Sequence, residues 1–286
     1  MAIESVAVIG GGTMGNGIAQ VVAGSGLAVT LVDIDEGALE KATARIRKSL
    51  ERLVQREKIT AEEVAEILGR IATTTDLEGA AVDADHAIET VIEDFATKAD
   101  VLGRLDAACR EDVILASNTS QFSITKLAAT TGRPDRVIGS HWFNPPPAMK
   151  LIEVIRGVET SDETLATILE LAGRFGKETV VCQKDTPGFI TSRLIVGLAL
   201  EAARIVEEGI ADADAVNRAC VLAFNHAMGP LDTVDYSGLD TTIRVADNMR
   251  DQYGERFLAP QVLRSLVNGG HLGRKTGRGF CDYREG

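Results

Sequence analysis

The sequence predicts an α/β fold in which a Rossmann-like, doubly wound and mostly parallel sheet is followed by a smaller all-helical C-terminal domain. Three observations predict this fold. Short apolar runs alternate with helix-like segments in the first part of the chain, a glycine-rich turn joins the first run to a helix, and no convincing strand follows from Phe189 onward. Near-continuous apolar strands are typical of a parallel sheet, because helices bury both of its faces.

Eight apolar runs account for the predicted sheet. In chain order they are SVAVIG, LAVTLVD, RIATTT, HAIET, VILAS, RVIGSHW, KLIEVI and ETVVCQ. Helical patterns separate many of these runs, which is typical of βαβ units. Between the second and third runs, Thr60 and Glu63 have the spacing of a capping box, which predicts the start of a helix.

Four helical patterns after KDTPG predict the second domain. They are FITSRLIVGLALEAARIVEEG, DADAVNRACVLAF, LDTTIRVADNMRDQYG and PQVLRSLVNGG. The predicted domains are therefore 1–185 and 186–286. The first of these helices is apolar around much of its circumference, so it is either a central core helix or a helix buried in a dimer interface.

Composition and charge exclude several classes of partner. The 286 residues include 42 acidic and 30 basic side chains, and a formal net charge of -12 repels nucleic acid and anionic membranes. The four cysteines are far apart and match no metal-ligand spacing, which predicts reduced thiols and no metal site. With neither a signal peptide nor an apolar stretch long enough to span a membrane, we expect a cytoplasmic protein.

The glycine-rich turn GGGTMG predicts a dinucleotide site. Gly10, Gly12 and Gly15 form the G-x-G-x-x-G pattern between a strand and a helix, and Thr13 and Met14 belong to the same turn. The first glycine permits the turn, the second lets the backbone approach a pyrophosphate, and the third lets the helix pack on the strand. The start of the helix then offers N–H groups to the phosphates.

Asp33, at the end of the second predicted strand, distinguishes between cofactors. Its carboxylate can accept hydrogen bonds from both ribose hydroxyls of NAD, and it repels the additional phosphate of NADP. The next residues are Ile34, Asp35 and Glu36, so no arginine follows that could bind that phosphate. The sequence therefore predicts NAD as the cofactor.

The predicted helix EGALEKATARIRKSLERLVQREK carries a basic stripe beside an apolar face. The apolar face consists of Leu39, Ala42, Ile46, Leu50 and Leu53. The basic stripe consists of Lys41, Arg45, Lys48, Arg52 and Arg56, with Ser49 near its edge. In a chain this acidic, the stripe is either a solvated face balanced by Glu40 and Glu51 or a docking surface for a phosphorylated ligand.

A candidate acid–base pair flanks the prolines of HWFNPPPAMKLIEV. His141 ends one predicted strand and Glu153 lies in the next, and the NPPP sequence forces a turn that can bring the two side chains together. Oxidation of an alcohol by NAD needs a base for the hydroxyl proton, and the imidazole of histidine titrates in the useful range. A carboxylate on the far ring nitrogen fixes the tautomer and stabilises the imidazolium.

Taken together, these motifs closely resemble those of the L-3-hydroxyacyl-CoA dehydrogenases, particularly the single-function bacterial 3-hydroxybutyryl-CoA type. The resemblance covers nearly the whole chain and includes GGGTMGNGIAQ, LVD, AIETVIED, ASNTS, HWFNPPPAMKLIEV, KDTPGF, MGPLDTVDYSGLDT and GRKTGRGF. It implies an NAD-binding domain over 1–185, a helical substrate and dimerisation domain over 186–286, and a homodimer. It further implies reversible oxidation of a short-chain (3S)-3-hydroxyacyl-CoA to 3-oxoacyl-CoA.

The resemblance also implies roles for individual residues. His141 is the expected catalytic base, Glu153 its partner, and Ser120 a hydrogen-bonding group for the substrate oxygen that also lies beside the cofactor. The positions at the nicotinamide or its ribose are Glu93, Lys98, Asn118, Asn144 and Lys275. The positions that contact coenzyme A are Ser49 and Arg56, to which the basic stripe adds Arg52.

One position departs from the family pattern. After KDTPGF the family usually has an asparagine before the arginine, whereas this chain has Ser192, near the expected catalytic groups. Serine is shorter and donates a single hydrogen bond, so the change affects how the substrate is held. Two alternatives stay open: a related NAD-dependent 3-hydroxy dehydrogenase that acts on a non-CoA hydroxy acid, and a non-catalytic protein that binds NAD or CoA.

Overall fold

The computed structural model describes residues 3–284, which form two compact units. The first unit runs to Thr186 and the second begins at Pro187. The division predicted from the sequence, between 185 and 186, lies one residue earlier.

In the described part of the first unit, eight strands form one sheet, and each corresponds to a predicted apolar run. They are β1 Ser5–Ile9, β2 Ala28–Val32, β3 Ile71–Thr74, β4 His86–Glu89, β5 Ile114–Ser117, β6 Val137–Trp142, β7 Leu151–Arg156 and β8 Glu178–Cys182. The strand order is β3-β2-β1-β4-β5-β6-β7-β8, and all neighbours are parallel except β6 and β7. The prediction of a mostly parallel, doubly wound sheet is therefore confirmed.

The helices of the first unit pack against this sheet. They are α1 Thr13–Gly24, α2 Glu36–Gln55, α3 Ala61–Gly69, α4 Leu77–Val82, α5 Phe95–Ala108, α6 Ile124–Ala128 and α7 Asp162–Arg174. At the start of α3, the Thr60 side chain accepts from the N–H of Glu63, and the Glu63 carboxylate accepts from the N–H of Thr60. The predicted capping box is thus confirmed. On α2, the predicted apolar face is buried or partly buried and the basic stripe is exposed.

The segment NPPPAM between β6 and β7 reverses the chain, which makes these two strands antiparallel. We call it the polyproline turn. Five residue pairs set the register of the two strands, and in one of them His141 lies opposite Glu153. Residues directly opposite each other on antiparallel strands share one face of the sheet, so the register brings these two side chains together.

Two glycines let α1 pack closely against the turns at its start. A Cβ on Gly15 would lie 1.7 Å from the carbonyl oxygen of Gly10, and a Cβ on Gly17 would lie 2.7 Å from the ring of Pro146. No larger side chain fits at either position. The same helix therefore contacts both the glycine-rich turn and the polyproline turn.

The described residues of the second unit, up to 284, form helices and connecting turns, with isolated bridges and no strand. Its helices are α8 Thr191–Glu207, α9 Ala213–Phe224, α10 Pro230–Ser237, α11 Leu239–Tyr253 and α12 Gln261–Asn268. Four of them match the predicted helical patterns, and α10 was not among those predicted. Val196 and Leu200 of α8 lie in the core of this unit, as expected for a central core helix.

The cysteines Cys109, Cys182, Cys220 and Cys281 are free thiols. Among the residues that the structure describes, no helix has the length and apolar character needed to cross a membrane. Over the same residues, no group of His, Cys, Asp or Glu side chains is arranged to hold a metal ion.

Candidate active site

A cleft of about 500 Å³ lies at the carboxyl ends of β1, β2 and β4. Gly10, Gly12, Thr13 and Met14 line it beside Asp33. The strand order reverses at this point, with β1 between β2 and β4, and doubly wound sheets bind nucleotides where the order reverses. We call this cavity the dinucleotide cleft.

The glycine-rich turn fits a pyrophosphate. Gly12 is the N-cap residue of α1 and provides no side-chain cap, and a Cβ at Gly12 would meet no atom within 4 Å. The first N–H groups of α1 therefore combine with the positive end of the helix dipole beside open space. Gly10 has a φ of +111°, a conformation that favours glycine.

Asp33 is fixed at the end of β2 by two backbone N–H groups. Its Oδ2 accepts from Gly11 at 2.7 Å and its Oδ1 accepts from Asp35 at 3.3 Å. Each carboxylate oxygen has a further lone pair for a ribose hydroxyl. Arg104 also lines the cleft, but both carboxylate oxygens of Glu78 bind its guanidinium, so it is already neutralised. The surroundings of Asp33 therefore suit NAD better than NADP.

A second cavity, of about 350 Å³, adjoins the dinucleotide cleft, because Met14, Thr90 and Val91 line both. We call it the catalytic cavity. His141 lines it from the end of β6, and Asn144 lines it from the polyproline turn. The catalytic cavity thus lies at the carboxyl ends of neighbouring strands, beside the predicted cofactor site.

The predicted acid–base pair is in contact. His141 Nδ1 lies 2.9 Å from Glu153 Oε2, and Glu153 is 0% exposed. A carboxylate at Nδ1 holds the imidazole proton there in the neutral tautomer, so the basic lone pair is on Nε2. This geometry can orient a histidine as a general base.

The loop after β5 brings Asn118 and Ser120 into the catalytic cavity. Asn118 Oδ1 accepts from the N–H of Trp142 at 2.9 Å, which ties this loop to the residue after His141. The N–H of Ser120 donates to Glu93 Oε1 at 3.1 Å. Both ends of the loop are therefore positioned by hydrogen bonds to neighbouring elements.

Lys98 is the centre of a buried charged network beside this loop. It is 1% exposed, and its ammonium lies 2.8 Å from Glu89 and 3.2 Å from Glu93. Glu89 also accepts from the Ser117 hydroxyl at 2.6 Å and from the N–H of Val91 at 2.8 Å. Burial raises the pKa of the Glu89 carboxyl above its ordinary range, and the Lys98 ammonium opposes that rise.

Glu93 connects the charged network to the catalytic loop, because one of its oxygens contacts Lys98 and the other accepts from Thr119 and Ser120. Lys98 was predicted to contact the cofactor. It does line the catalytic cavity, but its ammonium already donates to Glu89 and to the carbonyl of Val91 besides contacting Glu93. Lys98 thus holds Glu93 in place, and its role toward the cofactor remains a prediction.

A third cavity, of about 530 Å³, is lined by α1, α2 and the polyproline turn, and we call it the α1–α2 groove. From α2 and the residue that caps its end, it is lined by Arg45, Ser49, Arg52, Leu53 and Arg56. The remaining members of the basic stripe, Lys41 and Lys48, lie outside its lining. Asn144 lines both this groove and the catalytic cavity, so a ligand could extend from one into the other.

Two predicted site residues lie in the second unit. Ser192 is in the first turn of α8, and Lys275 lies in a short 3-10 turn after α12. The Lys275 ammonium contacts the two carboxylate oxygens of Asp240 at 2.6 and 2.7 Å. The catalytic role of Ser192 and the cofactor role of Lys275 remain predictions.

Three residues that line or support these cavities were missed in the sequence: Glu89, Thr90 and Gln20. Glu89 and Thr90 follow one another at the carboxyl end of β4, a position where a parallel sheet places its functional groups. Thr90 lines both the dinucleotide cleft and the catalytic cavity. Gln20 lines the α1–α2 groove from α1, and its helical spacing from Asn16 was the available signal.

Comparisons with known proteins agree with this architecture. The model of the 3-hydroxyacyl-CoA dehydrogenase NAD binding domain matches residues 5–186, and that of the family's C-terminal domain matches residues 188–283. A Bacillus subtilis protein named probable 3-hydroxybutyryl-CoA dehydrogenase is 42% identical over 286 residues, which cover 100% of this chain and 99% of that protein.

Two further relatives are similar over almost their whole length. The crystal structure of (S)-3-hydroxybutyryl-CoA dehydrogenase from Ralstonia eutropha has a TM-score of 0.95 and 41% identity, covering 99% of each chain. The mitochondrial hydroxyacyl-coenzyme A dehydrogenase of Sus scrofa is 39% identical, covering 99% of this chain and 92% of that protein. The chain therefore belongs to the 3-hydroxyacyl-CoA dehydrogenase family, as an oxidoreductase with NAD as its cofactor.

Proposed function

We propose that the chain catalyses the reversible oxidation of (3S)-3-hydroxyacyl-CoA by NAD to 3-oxoacyl-CoA, with His141 and Glu153 as the general-base pair. The observation that carries this proposal is the 2.9 Å contact between the two side chains in a cavity that adjoins the dinucleotide cleft. The names of the Bacillus and Ralstonia relatives support a short-chain substrate, 3-hydroxybutyryl-CoA.

In the proposed oxidation, His141 Nε2 takes the proton of the 3-hydroxyl group. The imidazolium that forms is stabilised by Glu153, whose buried carboxylate is in place before the reaction and need not reorganise. Bound NAD supplies the acceptor for the hydride that leaves the substrate carbon. In the reverse direction His141 returns the proton to the substrate oxygen.

Ser120 is the proposed second group at that oxygen. Its hydroxyl can donate a hydrogen bond to the substrate oxygen, which gains negative charge as the proton moves to His141. Glu93 holds the Ser120 backbone at 3.1 Å, and Lys98 holds Glu93. We therefore assign the charged network a positioning role for Ser120.

The α1–α2 groove is the proposed site of coenzyme A. Its three arginines provide local positive charge on a chain with a formal net charge of -12, as binding of phosphate groups requires. Asn144 lines both cavities, so the acyl end can reach His141 while the nucleotide lies along α2. We assign Ser49, which lines the same groove, as a hydrogen-bond donor to one of these phosphates.

Ser192 favours a second candidate function, the oxidation of a hydroxy acid without CoA, because it replaces the usual asparagine. One assay separates the two candidates: the loss of NADH absorbance with acetoacetyl-CoA and, in parallel, with acetoacetate. We expect kcat/KM for the thioester to be on the order of 100-fold higher or more, because CoA binding contributes to transition-state stabilisation. A higher kcat/KM for acetoacetate would favour the second candidate.

We also propose that the second unit forms the interface of a homodimer. Large apolar side chains at and near α9 are exposed, including Ile210, Leu222 and Phe224. Exposed apolar patches are typical of interaction surfaces, and twofold dimers are the most common closed oligomers. Sedimentation should give a dimer for the wild type and a monomer for the Leu222→Glu, Phe224→Glu variant, and a monomeric wild type would contradict the proposal.

A further inference from the structure

A buried glutamine lies on the α1 wall of the α1–α2 groove. Thr13, Asn16, Gly17 and Gln20 line this wall, with the spacing of a single helical face. Gly17 packs against Pro146, so Gln20 lies one turn beyond the contact between α1 and the polyproline turn. Gln20 is only 5% exposed, and it is a polar residue on a helix whose neighbouring residues are in the hydrophobic core.

The Gln20 amide makes no hydrogen bond to any of residues 3–284. The nearby amide of Asn16 differs, because it donates to the carbonyl oxygens of Gly12 and Thr13 within its own helix. Among the described residues, the fully enclosed polar side-chain atoms without a partner belong to Asp185 and His271, so the Gln20 amide is reached from the groove. An amide kept at a cavity wall without a protein partner is therefore available to a ligand.

The two walls of the groove differ in chemistry. The α2 wall carries Arg45, Arg52 and Arg56, which match phosphate groups, whereas the α1 wall carries the neutral Gln20. Prolines of the polyproline turn add apolar surface to the groove. A primary amide both donates and accepts hydrogen bonds, so it is complementary to another amide rather than to a phosphate.

We propose that Gln20 is a specificity residue that hydrogen-bonds an amide group of the pantetheine arm of the acyl-CoA substrate. This inference rests on the proposed function. The pantetheine arm links the CoA nucleotide to the thioester and contains two secondary amides separated by short alkyl segments. Gln20 therefore favours thioesters that carry the pantetheine arm over small thioesters and free acids. The arginines of the groove favour thioesters that also carry the CoA nucleotide.

The test uses Gln20→Met, which keeps the side-chain length and removes the hydrogen-bonding groups. Three substrates are compared: acetoacetyl-CoA, acetoacetyl-pantetheine, and the S-ethyl thioester of acetoacetate, which has no amide. For the first two we expect KM to rise about three- to tenfold with kcat preserved, the range for losing one neutral hydrogen bond. For the S-ethyl thioester we expect no change in kcat/KM.

A matched control is Gln55→Met, because Gln55 is exposed at the end of α2 and does not line the groove. Gln55→Met should leave KM and kcat unchanged for all three substrates. Gln20→Met should also leave the melting temperature without ligand nearly unchanged, since the amide faces the groove and has no hydrogen-bond partner in the protein. If Gln20 had a purely structural role, the Gln20→Met variant would be less stable than the wild type. Its kcat/KM would also fall by the same factor for all three substrates.

Two results would overturn the inference. If Gln20→Met changes kcat/KM equally for all three substrates, or for none of them, Gln20 does not bind the pantetheine arm. In that case the proposed function is still supported by the activity of the wild type with acetoacetyl-CoA. If the wild type itself fails to reduce acetoacetyl-CoA, both the proposed function and this inference are wrong. The wild-type measurement therefore separates the two failures.

Discussion

The catalytic cavity and the α1–α2 groove hold their charged groups in opposite ways. In and around the cavity, Glu153, Glu89 and Lys98 are buried, and each is paired within 3.2 Å. In the groove, Arg52 and Arg56 are exposed and form no ion pair with any residue in 3–284. Buried, fixed charges stabilise charge that develops in a reaction, whereas exposed charges attract a ligand but each contributes little and is screened by salt.

The largest expected effect is at His141. Replacing His141 by Gln should lower kcat by roughly 10²- to 10⁴-fold, the usual contribution of a general base. The Kd for NADH, measured by fluorescence titration, should stay close to that of the wild type, because the dinucleotide cleft is a separate cavity. A folded variant with nearly normal kcat would show that the buried pair is structural and would remove the contrast between the two cavities.

The next effect is on stability, at the charged network. Lys98→Met leaves two carboxylates without their buried counter-ion, and should lower the free energy of unfolding by about 3–5 kcal/mol. The measurement is urea denaturation. In the double variant with Glu89→Gln the loss should be smaller, because fewer buried charges are left uncompensated. The matched control is Lys48→Met, because Lys48 is exposed on α2, and it should hardly change the free energy of unfolding. Equal losses of stability in the Lys98 and Lys48 variants would contradict the assigned pairing of Lys98.

A smaller effect concerns the choice of cofactor. We expect kcat/KM with NADH to exceed that with NADPH by at least about tenfold, roughly 1.4 kcal/mol of discrimination. The cause is the Asp33 carboxylate, which is held by two backbone N–H groups and repels a phosphate. Asp33→Asn should reduce this preference, because it removes the charge and keeps the shape. Equal use of both cofactors by the wild type would refute this role of Asp33.

The smallest expected effect is in the groove. Replacing Arg52 and Arg56 by Ala should raise KM for acetoacetyl-CoA several-fold, about 1 kcal/mol, and leave kcat nearly unchanged, because these contacts bind substrate and transition state alike. Added salt should reduce the difference from the wild type. The control is Arg47→Ala, Lys48→Ala, which removes the same charge from α2 outside the groove. If the control raises KM equally, the effect is one of overall charge.

Acetoacetyl-pantetheine sharpens this comparison, because it lacks the nucleotide. Its KM should not change when Arg52 and Arg56 are replaced, and it should rise in the Gln20→Met variant. If the arginine changes impair both substrates equally, these side chains support the fold of α2 and do not bind the nucleotide.

The fold was predictable because its signals are local. Strands buried on both faces appear as short apolar runs, and the glycine-rich turn and the Thr60 capping box each occupy a few consecutive residues. Helix α10 was missed because its sequence PLDTVDYS begins with proline, lies between Gly229 and Gly238 and has few apolar residues, whereas α12, of the same length, has a clear apolar face. The His141–Glu153 contact was predictable because a short turn joins the two strands.

The site was less predictable where side chains meet from separate elements. Glu89 and Lys98 lie on β4 and α5, and nothing in their spacing shows that the lysine is buried between two carboxylates. The basic stripe was predicted as a face of α2, but which of its members line a cavity depends on where the polyproline turn lies. Gln20 is similar, because its helical spacing from Asn16 indicates a shared face of α1 but not the cavity that this face lines.

The polyproline turn joins the two strands that carry the acid–base pair, and it also forms part of the groove wall. Five residue pairs within the sheet hold His141 opposite Glu153, so the register does not depend on the length of the turn. Gly17 packs against Pro146, and the Lys177 ammonium donates to the carbonyl oxygens of Pro146 and Met149, so the turn is held from two sides. Because Pro147 and Ala148 line the α1–α2 groove and not the catalytic cavity, exchanges at these positions can change the fit of a ligand in the groove while the acid–base pair is inherited intact.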